Sequence, residues 1–209
     1  MKRLKINIIT RVTRPQNLSQ IRESIFGSIP KGVDVKWILI FDVAKVENLR
    51  TDYLLGLQCN RTRFYFTRCG NWKCQYQKVN EMLADGTISD GFVYLVDDDN
   101  ILHPDFYRVI LSNWEENQDM NGFIFSQQVD GKDFSKLDVR SAGPENIKIG
   151  GIDLAQYMFK WDVPKKHGVW FGTGYCGDGD FAVDLFKSGA ATGFKFIDEV
   201  LCYYNFISE

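Results

Sequence analysis

The feature that most constrains this chain is the alternation, through its first half, of short apolar runs with helix-spaced segments. Leu4–Thr10, a continuous apolar segment bounded by polar residues, reads as a buried strand; Val35–Phe41, Thr62–Thr67 and Gly91–Val96 read as three more, Thr62–Thr67 rich in aromatic and β-branched residues. Between them, Leu18, Ile21, Ile25 and Ile29 recur at helical spacing up to Pro30. Val79, Met82 and Leu83 face one way over a predicted helix at Gln75–Ala84. Thr13-Arg14-Pro15 supplies a turn and a helix start. Pro104 suits a first helical position, and Phe106, Val109, Ile110 and Trp114 then form an apolar stripe. A β-α-β-α-β order predicts an α/β fold, a mostly parallel sheet flanked by helices.

Ligands of such sheets gather at the carboxyl ends of the strands. Thr10-Arg11, Asp42 and Asp97–Asp99 all fall at such ends. The second half is less regular. Gly122–Val129 and Phe194–Phe206 read as strands, and a glycine cluster runs from Gly168 to Gly179. No repeat, low-complexity tract or linker divides the chain, so a single domain over residues 1–209 is expected.

Charge and cysteine usage narrow the partners. The net charge is −2 and no basic block is present, which argues against a nucleic-acid partner. Five cysteines without C-x-x-C spacing fit reduced thiols and a cytoplasmic location better than a disulfide framework or a zinc site. The basic start Met1-Lys2-Arg3 precedes an apolar stretch too short for a signal peptide or a membrane span. The sequons at Asn17 and Asn60 are read as chance matches. Aromatics make up 14% of the chain, enough for a Phe-rich core or for rings lining a cleft.

The chemistry centres on Asp97-Asp98-Asp99. Three adjacent carboxylates repel one another unless a cation or hydrogen-bond donors neutralise them. A divalent metal does so, and hard oxygen ligands select Mn²⁺ or Mg²⁺, with a diphosphate completing the coordination. The bland alternative is a solvated turn, since Asp-Asp-Asn is good turn chemistry. The strand Phe92–Val96 ahead of it would aim the acids at a fixed place. An EF-hand loop does not match: counted from Asp97, its sixth and twelfth positions are Leu102 and Arg108.

The segment Val93-Tyr94-Leu95-Val96-Asp97-Asp98-Asp99-Asn100 resembles the DxD region of GT-A fold glycosyltransferases, above all the inverting glucuronyltransferase family. Other segments follow in that family's order. Ile8–Gln16 resembles its first strand and Arg-Pro loop. Trp37–Asp42 resembles a second strand ending in an acid that recognises uracil. Ile152-Asp153-Leu154-Ala155 resembles an acceptor-side segment. Asp178-Gly179-Asp180-Phe181 falls where the catalytic acid opens a helix. Family-2 glycosyltransferases look similar here too. The family's Arg-Asn pair ahead of the DxD appears as Val79-Asn80, with Lys73 or Lys78 as substitutes for the arginine.

The resemblance implies a GT-A-like enzyme with a nucleotide-binding half over residues 1–100 and an acceptor-side half over 101–209. It would move a sugar from a nucleotide-sugar, a UDP-sugar by preference, to a saccharide or glycoconjugate hydroxyl, with inversion. Asp99 would hold the metal. Thr10, Arg11, Arg14, Asp42, Lys73, Lys78, Asn80, Asp97, Asp98 and Asp153 would bind the donor or line its site. Asp178 would be the general base, with Asp180 the alternative. Each acid also has a plainer reading: Asp42 and Asp153 as turn residues, Asp178 as a helix N-cap. Trp161, Trp170 and Phe171 read as core, with Trp170 and Phe171, in a Gly-rich stretch, also candidates for a sugar-stacking lid. His103 and His167 read as surface or supporting residues, although a late histidine such as His167 can reach a metal in GT-A enzymes. Two rivals remain at this point: a metal-dependent phosphohydrolase or nucleotidyltransferase, and an inactive nucleotide- or sugar-binding module.

Overall fold

The computed structural model describes residues 2–46, 51–70, 73–129, 138–172 and 177–207, with the side chains of Thr51, Asp138 and Asp178 outside that description. The apolar runs form strands: β1 (Leu4–Val12), β2 (Val33–Asp42), β3 (Thr62–Thr67) and β4 (Phe92–Leu95). The second half adds β5 (Ile101–Leu102), β6 (Gly122–Val129), β7 (Asp138–Arg140), β8 (Tyr157–Lys160) and β9 (Phe194–Tyr203). Helices α1 (Leu18–Phe26), α2 (Thr51–Leu57), α3 (Lys73–Ala84), α4 (Phe106–Glu116), α5 (Val163–His167) and α6 (Gly177–Lys187) connect them.

All nine strands join one sheet in the order β3-β2-β1-β4-β8-β6-β9-β5, with β7 paired to β6. The longest ladders, β1 with β2, β2 with β3 and β6 with β9, are parallel. Strand β8 enters antiparallel between β4 and β6. The sheet is therefore mixed, mostly parallel and covered by helices, as the strand-helix alternation predicts.

Strands β1 and β2 are buried on both faces along most of their length, which explains their apolar stretches Ile8-Ile9 and Trp37–Phe41 and leaves Asn7 and Thr10 as buried polar residues of β1. Ile6, Ile8, Trp37 and Leu39 pack on one face with Leu18, Ile21 and Ile25 of α1 and Phe106 and Ile110 of α4. Ile9, Ile38 and Ile40 pack on the other with Val79, Met82 and Leu83 of α3 and Phe181 and Leu185 of α6. Tyr94 stacks on Phe106 with ring centres 5.1 Å apart, which locks β4 to α4.

The chain leaves β1 towards β2 on one side and leaves β4 towards the other. A crevice opens where neighbouring connections part in this way, at the carboxyl ends of β1 and β4. Because β8 runs antiparallel to β4, its first residues lie at that same edge. The last residues of β6 and β9 arrive there too, since Gln128 pairs with Tyr203.

Several expectations are corrected. Helix α4 begins at Phe106, because His103 to Phe106 first forms a turn in which the Phe106 amide donates to the His103 carbonyl. Strand β9 ends at Tyr203, and Asn205 then takes a positive φ of 51°, which turns the chain back. Cys69 and Cys74 are joined as a disulfide, against the expectation of reduced thiols. The first turn of α3 brings Cys74 back beside Cys69, so the five-residue separation closes a short loop. Cys59 and Cys202 are free, and Cys176 lies outside the described residues. No helix among the described residues is long and apolar enough to cross a membrane.

Candidate active site

Asp97, Asp98 and Asp99 follow β4 at the mouth of this crevice, and each meets a different environment. Asp97 takes a two-bond fork from Arg11, Nε to Oδ1 at 2.8 Å and a terminal nitrogen to Oδ2 at 2.6 Å. Arg11 in turn lies over the Tyr76 ring at 4.3 Å. Asp98 is almost fully buried, and its Oδ2 accepts from the Thr13 and Arg14 amides and from the Thr13 hydroxyl. Its Oδ1 accepts from Arg14 Nε at 2.9 Å. Asp99 is mostly buried and accepts from a terminal nitrogen of Arg14 at 2.8 Å. Burial and the neighbouring charge of Asp97 push the Asp99 carboxyl above the usual carboxylate range, against the pull of Arg14.

The turn is rigidly mounted. The Asn100 amide donates to the Asp97 carbonyl. Asn17 Nδ2 donates to the Asp98 carbonyl at 2.8 Å. The returning C-terminal segment closes the other side: the Asn205 amide donates to Asn100 Oδ1, and the Ile207 amide to the Asp99 carbonyl. The sequon asparagine Asn17 is thus buried and used internally, consistent with a chance match.

Asp42 ends β2, one strand beyond β1, and is fully buried. Its Oδ1 accepts from the amides of Ala44, at 3.1 Å, and Cys69, at 3.3 Å. Its Oδ2 has no partner among the described residues. A buried carboxylate oxygen left open costs free energy unless a ligand supplies a donor.

Asp153 lies ahead of β8 at the same edge. It caps a 3-10 turn, accepting from the Ala155 amide at 2.9 Å, and also accepts from Gln127 Nε2 at 3.0 Å. Arg140 stands 3.7 Å away. Burial dominates here and pushes the carboxyl up to about 6, with Asp97 adding to the rise. The turn reading and a place at the crevice are therefore compatible. Gln127, Arg140 and Tyr204 join this group without having been singled out in the sequence; the Arg140 guanidinium sits 5.5 Å from the Tyr204 ring. Their only sequence signal is a position near strand ends.

Other predicted residues are placed differently. The Thr10 hydroxyl accepts from the Trp37 indole at 3.0 Å inside the core. Asn80 clamps the Phe171 backbone, donating to its carbonyl at 2.9 Å and accepting from its amide at 3.1 Å. Lys78 pairs with Glu81 at 3.0 Å and lies over Tyr65, while Lys73 opens α3 with an exposed side chain. Phe171 is not a lid: it is buried between Tyr76 and Phe181, stacked at 5.2 and 3.9 Å, and only Trp170 beside it is exposed. Helix α6 is described from Gly177 onward, and Asp178 and Asp180 lie in its first described turn. His167 Nδ1 contacts the Ser188 carbonyl beyond the far end of α6, and His103 Nδ1 accepts from the Asp105 amide.

Among the described residues no three histidine, cysteine or acidic side chains are grouped so that they could hold a metal ion between them. Asp97 and Asp99 are hard oxygen donors on a fixed turn, and Asp99 is incompletely neutralised. That donor set fits a cation shared with a diphosphate, which needs only one or two carboxylates from protein.

No family model matches the chain, and no curated protein matches it in sequence. Solved structures do match. Staphylococcus aureus TarS 1–349 superposes over 96% of this chain and 60% of its own length, at 13% identity and a TM-score of 0.64. Its complex with UDP gives 0.67 at 12% identity over 96% and 60%. A mannosyltransferase from Pyrobaculum calidifontis, solved with GDP-Man and Mn²⁺, gives 0.66 at 12% identity over 98% and 58%. The chain thus spans about three-fifths of the length of these solved chains, and 36% of a longer TarS chain. At this identity the likeness shows the fold, and that fold is GT-A-like, as found in glycosyltransferases.

Proposed function

We propose that the chain is a glycosyltransferase that moves a sugar from a nucleotide-sugar, by preference a UDP-sugar, to an acceptor hydroxyl with inversion. One observation carries the reading. The open oxygen of buried Asp42 and the Asp97–Asp99 turn flank β1 at the carboxyl edge of the sheet. Two strand spacings separate β2 from β4, roughly 10 Å, the scale of a nucleoside diphosphate. The fold it shares with proteins solved with UDP, UDP-GlcNAc and GDP-Man supports the same donor class.

In this reading Asp42 Oδ2 accepts an N–H from the base. Asp97 and Asp99 hold Mn²⁺ or Mg²⁺, which when bound neutralises charge on the leaving diphosphate. Asp98 acts through the loop: with four hydrogen bonds from Thr13 and Arg14, it fixes where Arg14 stands. Asp153 faces the acceptor side. Asp178 takes the proton of the acceptor hydroxyl as it attacks the anomeric carbon, and Asp180 is its alternative. Residues 1–209 then act as a single catalytic domain.

Asp178→Asn should lower transfer from UDP-sugars by roughly 10²–10⁴ while UDP and Mn²⁺ still bind. The product should carry the anomeric configuration opposite to the donor's. Normal turnover of the variant, or retained configuration by NMR, contradicts the assignment.

A further inference from the structure

We propose that Arg14 is a resident counter-ion of the acidic turn, occupying Asp99 until a divalent cation and a diphosphate arrive together. The inference rests on the reading of Asp97 and Asp99 as the cation's carboxylates, and adds to it an explanation of how the two ligands are coupled.

Two guanidinium groups serve the turn, and they are held unequally. Arg11 is gripped twice by Asp97 and covered by the Tyr76 ring, and its side chain is only 13% exposed. Arg14 spans two carboxylates, with a terminal nitrogen 2.8 Å from both Asp98 Oδ1 and Asp99 Oδ2, and its side chain is 41% exposed. Its backbone stays in place whatever the side chain does. The Arg14 amide is bound by Asp98, Pro15 follows it, and the Pro15 carbonyl accepts from the Tyr53 hydroxyl. The guanidinium can therefore let go of Asp99 without moving the loop.

Charge decides when it does so. Asp97, Asp98 and Asp99 carry three negative charges against the two positive charges of Arg11 and Arg14. A divalent cation alone must share Asp99 with Arg14 or displace it, and in either case it sits close to the guanidinium, so like charges oppose it. A nucleoside diphosphate changes the sign of that interaction, because its oxygens accept from Arg14 while also meeting the cation. Arg14 thus disfavours cation without nucleotide and favours the two together. That is a coupling free energy between two ligands, and it must appear in both binding constants.

Calorimetry tests this on the full chain with MnCl₂ alone, UDP alone and MnCl₂ at saturating UDP. Arg14→Ala should bind Mn²⁺ alone about two- to fivefold more tightly than the unaltered chain, the range of a partly exposed ion pair. The factor by which UDP strengthens Mn²⁺ should shrink by at least as much. Arg14→Lys keeps the charge but cannot fork across two carboxylates, and should fall between the two; it also serves if the alanine variant folds poorly. Mn²⁺ binding alone that is unchanged or weaker in both variants overturns the proposal while leaving the cation site standing. If the unaltered chain binds no Mn²⁺ even with UDP present, the reading of Asp97 and Asp99 fails, and the proposal with it.

Discussion

The acidic turn after β4 and the loop ahead of β8 bury carboxylates at one edge of the same sheet, and the protein holds them differently. On the turn, Asp98 receives four hydrogen bonds, and two arginines reach the run at 2.6–2.9 Å. On the loop, Asp153 receives an amide and a glutamine, but its nearest guanidinium stands off at 3.7 Å. On the turn, burial and the charge of Asp97 raise the Asp99 carboxyl while Arg14 pulls it down. On the loop, burial wins and the Asp153 carboxyl is pushed up to about 6. Burial raises both acids; what differs is how closely a guanidinium opposes it. A third carboxylate, Asp42, is held by two amides on one oxygen and left open on the other.

Removing the best-held acid should cost most. Asp98→Ala strips the partner from two amides, a hydroxyl and a guanidinium at a buried position, and should lower stability by about 3–5 kcal/mol in urea unfolding. A loss under about 1 kcal/mol would show that the turn does not depend on that network.

Asp153 should show the reverse in its pH response. The folded carboxyl keeps its proton up to about pH 6, while the unfolded one loses it near about pH 4. The folded state binds more protons in that window. Its contribution is therefore fully present below about pH 4 and is lost as pH rises to about 6, by up to about 2–3 kcal/mol. With chelator present, Asp153→Asn should flatten the stability profile over that window. An unchanged slope would mean that another group sets it.

Asp42→Ala tests the open oxygen. A hydrogen bond to a charged group is worth about 1.5–3 kcal/mol, so UDP should bind roughly tenfold or more weakly. Inorganic diphosphate should bind as before; equal loss for both ligands would show that Asp42 does not read the base.

The strength of the first half as a sequence signal has a physical basis. β1, β2 and β4 are largely buried on both faces, so each carries an apolar stretch (Ile8-Ile9, Trp37–Phe41, Phe92–Leu95), and the polar residues at this edge are placed by the end of the run. The second half lacks that property. β5 and β7 are two and three residues long, β8 has four, and α5 has five, too short for a period to declare itself. Partnerships across the chain are equally silent. Arg11 and Asp97 are 86 positions apart, and Arg14 and Asp98 are 84 apart. Resemblance could suggest that both segments line one site, but not that Arg14 would span Asp98 and Asp99. Asn80 shows the opposite case. Its family position suggests a phosphate, whereas α3 turns it onto the Phe171 backbone.

Calorimetric titration of UDP into the protein, with Mn²⁺ and with chelator, bears most directly on nucleotide-sugar chemistry at the acidic turn. UDP should bind the unaltered chain far more tightly with Mn²⁺, and Asp99→Ala should lose most of that gain, because it removes one of the two carboxylates offered to the cation. Equal UDP affinity with and without Mn²⁺, or an Asp99→Ala variant that keeps the full gain, would contradict the account.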